Sequence, residues 1–217
     1  MGKAHYQQNS ATLRKNQHQT YCLQINLQHS RSAIYNMMKI IEKEEPDLIF
    51  VQEPYEYQNK PVGIGKKCRI FTAGNGKHRS AIVIPNNKID AMLITQISNE
   101  DTVLDIMHEK MKFFAVSMYL DIEEQIENSF TNIDEILQFA KGTNILIAAD
   151  SNSRSKTWRD KITNSRRKKL EEYLASRHLH IINEESEMFT FHNSRGTSSI
   201  DLTITNNNLI ADCMSGK

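Results

Sequence analysis

The chain has 217 residues, 39% of them hydrophobic and 24% charged, with 27 Lys and Arg against 26 Asp and Glu. That composition supports a buried core and excludes wholesale disorder, while a net charge of +1 excludes binding through bulk charge alone. Eight Gly and four Pro exclude collagen-like and linker-like chains, and Cys22, Cys68 and Cys213, with no CxxC spacing, offer neither a disulfide framework nor a zinc site.

Residues 1–20 are polar, rich in Gln, Asn and His, and lack the apolar stretch of a signal peptide. They are expected to form a flexible tail, with the folded domain running over 21–217. No apolar run approaches membrane length, so no membrane partner is expected and the chain reads as soluble and intracellular. Tyr21, Leu23, Ile25 and Leu27 alternate with Gln24, Asn26 and Gln28, the pattern of a half-buried strand. Ser30 is a candidate helix N-cap, and Ile34, Met37, Met38 and Ile41 follow at helical spacing up to Pro46. Residues 48–51 form a short apolar run, a buried strand. Residues 57–79, with four glycines, read as loop around a short strand at 69–71. Strand-like runs follow near 80–84, 90–97, 102–107 and 112–119. Residues 121–135 carry six acids and no Lys or Arg, and Ile126, Phe130, Ile133, Leu137 and Ala140 stripe a helix that Gly142 is expected to cap. Residues 144–149 predict a buried strand, 165–177 a helix, and 179–183, 188–192 and 199–205 further strands. Many strands with few helices predict an α/β fold of mixed sheets covered by helices.

Several of these strands end in polar residues suited to phosphate chemistry. Asn26 lies near the end of the first, Gln52 and Glu53 end the second, Ser117 and Tyr119 end another, Asp150 and Asn152 follow the run at 144–149, and Asp201 sits on the last. Each alone is commonplace. A Glu after a strand is usually a solvated turn residue, and Asp-x-Asn is more often a turn than a site. Together they supply one chemistry: carboxylate oxygens for a hard cation, a carboxylate to activate water, and donors for a phosphate.

The series Gln24-x-Asn26-Leu27, Gln52-Glu53-Pro54, Ser117-x-Tyr119, Asp150-x-Asn152 and Ser199-Ile200-Asp201 resembles the endonuclease/exonuclease/phosphatase superfamily. With Asn26 to Arg31, Gln52 to Tyr55, Ser155-x-x-Trp158 and Gly196 to Asp201, it resembles the apurinic/apyrimidinic-like endonuclease domain of non-LTR (LINE-like) retrotransposons. The match spans about Tyr21 to Leu209. The resemblance implies a four-layer α/β/β/α sandwich of two mixed sheets. It implies a nuclear, Mg²⁺-dependent endonuclease, with Mn²⁺ as an alternative ion, that nicks DNA to prime reverse transcription. By position, Glu53 and Asn26 would serve the metal, Asp150 the attacking water, and Asn152 and Tyr119 the phosphate. Asp201 would orient a histidine from the family's terminal Ser-Asp-His motif. The turn His192 to Thr197, with Asn193 and Arg195, would reach into a DNA groove. No terminal Ser-Asp-His follows Asp201 here, and His29, His178, His180 and His192 all precede it. The expectation is therefore a C-terminally truncated domain missing its final strand, with a reverse transcriptase domain in the full-length element.

Residues 154–169 hold Arg154, Lys156, Arg159, Lys161, Arg166, Arg167, Lys168 and Lys169 against Asp160, a local charge of +7 around Trp158. A charge run is most often a solvated helix face. Directly after Asp150-x-Asn152 it favours contact with a DNA backbone, through Arg154, Trp158, Arg166 and Arg167 above all. Two other readings stay open: a catalytically inactive DNA-binding fragment, and a phosphatase of the same superfamily.

Overall fold

The structure, a computed structural model, describes residues 8–15, 18–74, 76–152, 165–183, 191–193, 196–198, 201–206 and 213–214. Its strands fall into two six-stranded sheets. The first contains β1 (Gln8–Lys15), β2 (His18–Asn26), β3 (Leu48–Gln52), β6 (Arg69–Thr72), β7 (Ser80–Ile84) and β16 (Cys213–Met214), in the order β16-β1-β2-β3-β7-β6. The second contains β8 (Asp90–Leu93), β9 (Thr102–His108), β10 (Met111–Tyr119), β11 (Ile145–Asp150), β12 (Leu179–Ile181) and β15 (Asp201–Asn206), in the order β12-β15-β11-β10-β9-β8. Two small hairpins stand apart: β4 (Glu56–Tyr57) with β5 (Lys60–Pro61), and β13 (Phe191–Asn193) with β14 (Gly196–Ser198).

Side-chain parity explains the layering. On β3, Leu48 and Phe50 face the second sheet, where they meet Leu104, Ile106, Phe113, Ala115, Leu146 and Ala148. Ile49 and Val51 face the other way, onto Ala33, Ile34 and Met37 of α1 (Arg31–Glu44). On β10, Phe114, Val116 and Met118 pack under α2 (Ile126–Ala140) and α3 (Ser165–Ser176), through Ile133, Ile136, Leu170 and Leu174. Strands buried on both faces read as apolar runs because neither face sees water. The result is the four-layer α/β/β/α sandwich.

Each sheet holds one parallel pair, β2 with β3 and β10 with β11, and each pair is bridged by a helix, α1 and α2 respectively. A parallel pair needs such a crossover, and it brings both of its strands to the same edge. α1 closes with Glu45 left-handed and its N–H bonded to the Ile41 carbonyl, just before Pro46.

The structure corrects the sequence reading in several places. Eight residues of the expected tail form β1, paired along its length with β2 from Gln8↔Ile25 to Lys15↔His18. Its apolar residues, Ala11 and Leu13, are too few to make a strand pattern. One short strand follows β15, where none was expected: β16, which pairs with Thr12 and Leu13 of β1. β2 is not half-buried, since Gln24 is 3% exposed on the inter-sheet side. Hairpin β4–β5 lies within the expected loop, turned by Gln58 and Asn59, both at positive φ, without glycine. β8 stops at Leu93, short of 97. At the end of α2 the cap position is Lys141, at φ 45, one residue before Gly142.

Asp101 gives this fold a pH signature. It is buried beside Asn132, and burial pushes its carboxyl up to about 7. The folded state therefore keeps a proton that the unfolded chain releases near 4, so this group's contribution favours folding at low pH and is lost as pH rises from about 4 through 7. Asp101→Asn should consequently gain stability relative to the parent between pH 5 and pH 8, read as urea midpoints at the two pH values. A constant difference between them would refute the assignment.

Candidate active site

The four strand ends of the two parallel pairs meet at one edge of the sandwich. Asn26 ends β2 and Glu53 follows β3 in the first sheet, while Tyr119 ends β10 and Asp150 ends β11 in the second. Within each sheet the ends are in register, Asn26 beside Gln52 and Tyr119 beside Asp150. This is where α/β folds hold ligands.

Side chains connect the two halves. Asn26 Nδ2 donates to Asp150 Oδ2 at 2.7 Å, and its own Oδ1 accepts the Gln28 amide at 2.7 Å, which fixes its rotamer. The Asn152 amide donates to Asp150 Oδ1 at 3.2 Å, and Asn152 Nδ2 reaches the Leu120 carbonyl at 3.0 Å. Asp150 is 2% exposed. Burial pushes its carboxyl up to about 6, further raised by the nearby Glu53 charge and held back by the Asn26 and Asn152 bonds. A carboxylate so poised is still ionised at neutral pH and basic enough to accept a proton from water. Burial likewise pushes the Tyr119 phenol up to about 12, and Glu53 adds to the rise, so this hydroxyl stays a donor. Asp201 is buried and is the register partner of Asp150 on the neighbouring strand.

Beneath the site, the sheets are braced. Gln52 Nε2 donates to Ser117 Oγ at 3.2 Å and to the Ala148 carbonyl at 3.1 Å, and Ser117 Oγ donates to the Val51 carbonyl at 3.1 Å. Both side chains are fully buried.

The loops rimming the site are unusual in conformation. Gln28, His29, Glu53 and Asn152 all have φ between 48 and 50, the left-handed region non-glycine residues seldom visit. Hydrogen bonds hold them there: Glu53 N–H to the Arg79 carbonyl at 2.8 Å, and His29 N–H to the Glu53 carbonyl at 2.9 Å. Such strain concentrates at functional sites. No sequence pattern announced it.

Two residues that sequence reasoning missed belong here. Arg79 forms an ion pair with Asp121 and lays its guanidinium over the Tyr119 ring, 5.6 Å from the centroid. His29 Nε2 lies 3.7 Å from Glu53 Oε1. Arg79 lies in a stretch that reads as loop, and His29 enters the sequence pattern only within the Asn26 to Arg31 motif and as a histidine that does not match the terminal one.

The basic helix face is largely answered from within. Arg166 Nη1 donates to the Glu124 carbonyl, with Asp121 and Glu127 nearby. Arg167 pairs with Glu171 at 3.0 Å, Lys168 with Glu172 at 3.7 Å, and Lys169 with Glu127 at 2.6 Å. The acidic segment at 121–135 and the basic segment at 154–169 thus neutralise one another in part. His192 and Asn193 lie on β13, paired with Thr197 and Gly196 of β14, so the expected hairpin exists as backbone. Arg154, Trp158 and Arg195 lie outside the described residues.

A divalent cation fits the donor set at the rim: Glu53 offers carboxylate oxygens, and hard cations of the Mg²⁺ type need only one or two protein carboxylates, with water and phosphate completing the shell. Among the described residues, no group of three or more His, Cys, Asp or Glu is placed to hold a metal ion.

A two-sheet sandwich with Asn, Glu, Tyr, Asp and Asn at the ends of its parallel strands is the arrangement that the resemblance to the endonuclease/exonuclease/phosphatase superfamily implies. A family model described as endonuclease-reverse transcriptase matches residues 113–217. A 115 kDa protein in the type-1 retrotransposable element R1DM of Drosophila melanogaster is 25% identical over 193 residues, covering 85% of this chain and 19% of that protein. The retrovirus-related Pol polyprotein from the type-1 retrotransposable element R1 of Bradysia coprophila is 26% identical over 156 residues, covering 66% and 16%. The chain thus spans about a fifth of the length of these curated relatives. Among solved structures, the endonuclease domain of TRAS1, a telomere-specific non-LTR retrotransposon, superposes with a TM-score of 0.76 at 23% identity, covering 88% of this chain and 86% of that one. An AP endonuclease from Archaeoglobus fulgidus superposes with 0.61 at 12% identity, covering 89% of each chain. The chain is thus similar in sequence to proteins of retrotransposable elements and shares its fold with the endonuclease domain of one of them.

Proposed function

We propose that this domain is a Mg²⁺-dependent DNA endonuclease that nicks target DNA in the nucleus to prime reverse transcription by a polymerase domain of the same element. The observation that carries the reading is the Asp150 carboxylate, raised by burial, oriented by Asn26 and Asn152, and set close enough to Glu53 for their charges to interact. Asp150 accepts the proton of the attacking water. Tyr119, protonated throughout, and the second hydrogen of Asn152 Nδ2 donate to the phosphate. Asn26 keeps Asp150 in line, and Asp201 supports that strand end from behind. Glu53, with Asn26 close by, would hold the cation, which would supply charge neutralisation at the phosphate. The residue types support both a phosphodiester substrate and water as nucleophile; the relatives support DNA and the retrotransposon setting.

Supercoiled plasmid tests this directly. With Mg²⁺ or Mn²⁺ the protein should convert it to relaxed circles, and a chelator should stop the reaction. Glu53→Ala and Asp150→Ala should each abolish it. DNA binding without nicking in the parent protein would instead mark an inactive binding domain, and phosphate release from small esters without nicking would mark a phosphatase.

A further inference from the structure

Resting on the reading of Glu53 as a metal ligand, we propose that His29 is a second protein ligand of the same cation, through Nε2. The ring is held by its other nitrogen: Nδ1 lies 2.9 Å from the Pro54 carbonyl oxygen. A carbonyl can only accept, so Nδ1 carries the hydrogen in that contact. In the neutral imidazole Nε2 is then a lone pair, and it faces Glu53 Oε1 at 3.7 Å. A lone pair beside a carboxylate oxygen is repulsive unless a proton or a metal cation lies between them, and the open rim of the site suits the metal. A cation at about 2.1 Å from each atom subtends about 120° at that separation, and closing the gap by about 0.7 Å gives the right angle of an octahedral site.

Three further features fit a ligand and not a chance neighbour. An N–H donated to a backbone carbonyl is the usual partner of a metal-bound histidine. His29 and Glu53 are joined through their backbones, His29 N–H to the Glu53 carbonyl at 2.9 Å, so the two donors move as one unit. Both residues are left-handed, at φ 50 and 48, and their side chains approach to 3.7 Å. The side chains are 35% and 23% exposed, open enough for the cation to keep water and meet a phosphate. An imidazole donor shifts preference from Mg²⁺ toward Mn²⁺ and later transition ions.

Mn²⁺ bound to the full chain should show the electron spin-echo modulation of a directly coordinated ¹⁴N. His29→Asn and His29→Gly, both tolerant of positive φ, should lose that signal and weaken Mn²⁺ by about tenfold or more in calorimetry, with Mg²⁺ weakened less. Circular dichroism confirms that the variants fold. Mn²⁺ bound in a Glu53-dependent way without nitrogen coupling overturns the His29 assignment and leaves the Glu53 reading intact. Absence of any Glu53-dependent Mn²⁺ binding overturns both.

Discussion

Asp150→Asn should lower the nicking rate about 10³-fold while the domain stays folded, because it removes the proton acceptor and keeps the shape. The replacement can still accept from Asn26 or from the Asn152 amide through its one oxygen, but its NH₂ faces the other donor. Some loss of order around the site is therefore expected along with the chemical loss. The same comparison with Glu53→Gln and with the double variant is informative. Groups that act as a unit lose their effect together, so the double variant should fall little below the worse single one. Multiplying losses would mean that Glu53 and Asp150 serve independent steps. A mere tenfold drop for Asp150→Asn would remove it from the role of base.

The largest stability effect is expected at Phe113, which is fully buried between the sheets among Leu48, Phe50, Leu104, Ile106 and Leu146. Phe113→Ala should cost about 3–5 kcal/mol, the range for deleting a buried aromatic ring and leaving a cavity. Against a typical domain stability of about 5–15 kcal/mol that is a large share. Ile122→Ala, at a side chain 62% exposed, should change stability by less than about 0.5 kcal/mol. Urea midpoints with an unchanged slope would confirm the contrast. Equal effects at the two sites would show that the sheets do not pack as described.

Most of the framework was legible because apolar periodicity is a direct consequence of layering. Leu48 to Val51, Phe113 to Met118 and Ile145 to Ala149 are buried on both faces and read as runs, while Ile126, Ile133 and Ala140 are buried on one and read as a stripe. What stayed illegible has physical reasons. β1 is a polar strand paired with β2, and backbone pairing leaves no trace in the side-chain pattern. The Gln58–Asn59 turn and Lys141 adopt left-handed conformations usually flagged by glycine. The site residues Asn26, Glu53, Tyr119, Asp150 and Asn152 were visible as strand-end polar groups. Arg79 and His29 were not, because their roles arise from through-space contacts with Tyr119, Asp121 and Glu53. The pairing of the basic run with α2 was invisible for the same reason: Lys169 and Glu127 are 42 positions apart.

The Gln52–Ser117 brace has a consequence for how such a domain can drift. Each partner satisfies polar atoms of the other sheet at a place closed to water. Ser117→Ala alone would leave one Gln52 amide hydrogen without its acceptor, and Gln52→Leu alone would take the donor from Ser117 Oγ and from the Ala148 carbonyl, each a loss on the order of 1 kcal/mol. The two positions can therefore change only in concert. Within a set of related chains they should behave as a correlated couple, one on each sheet, whose joint identity records the spacing between the halves of the site.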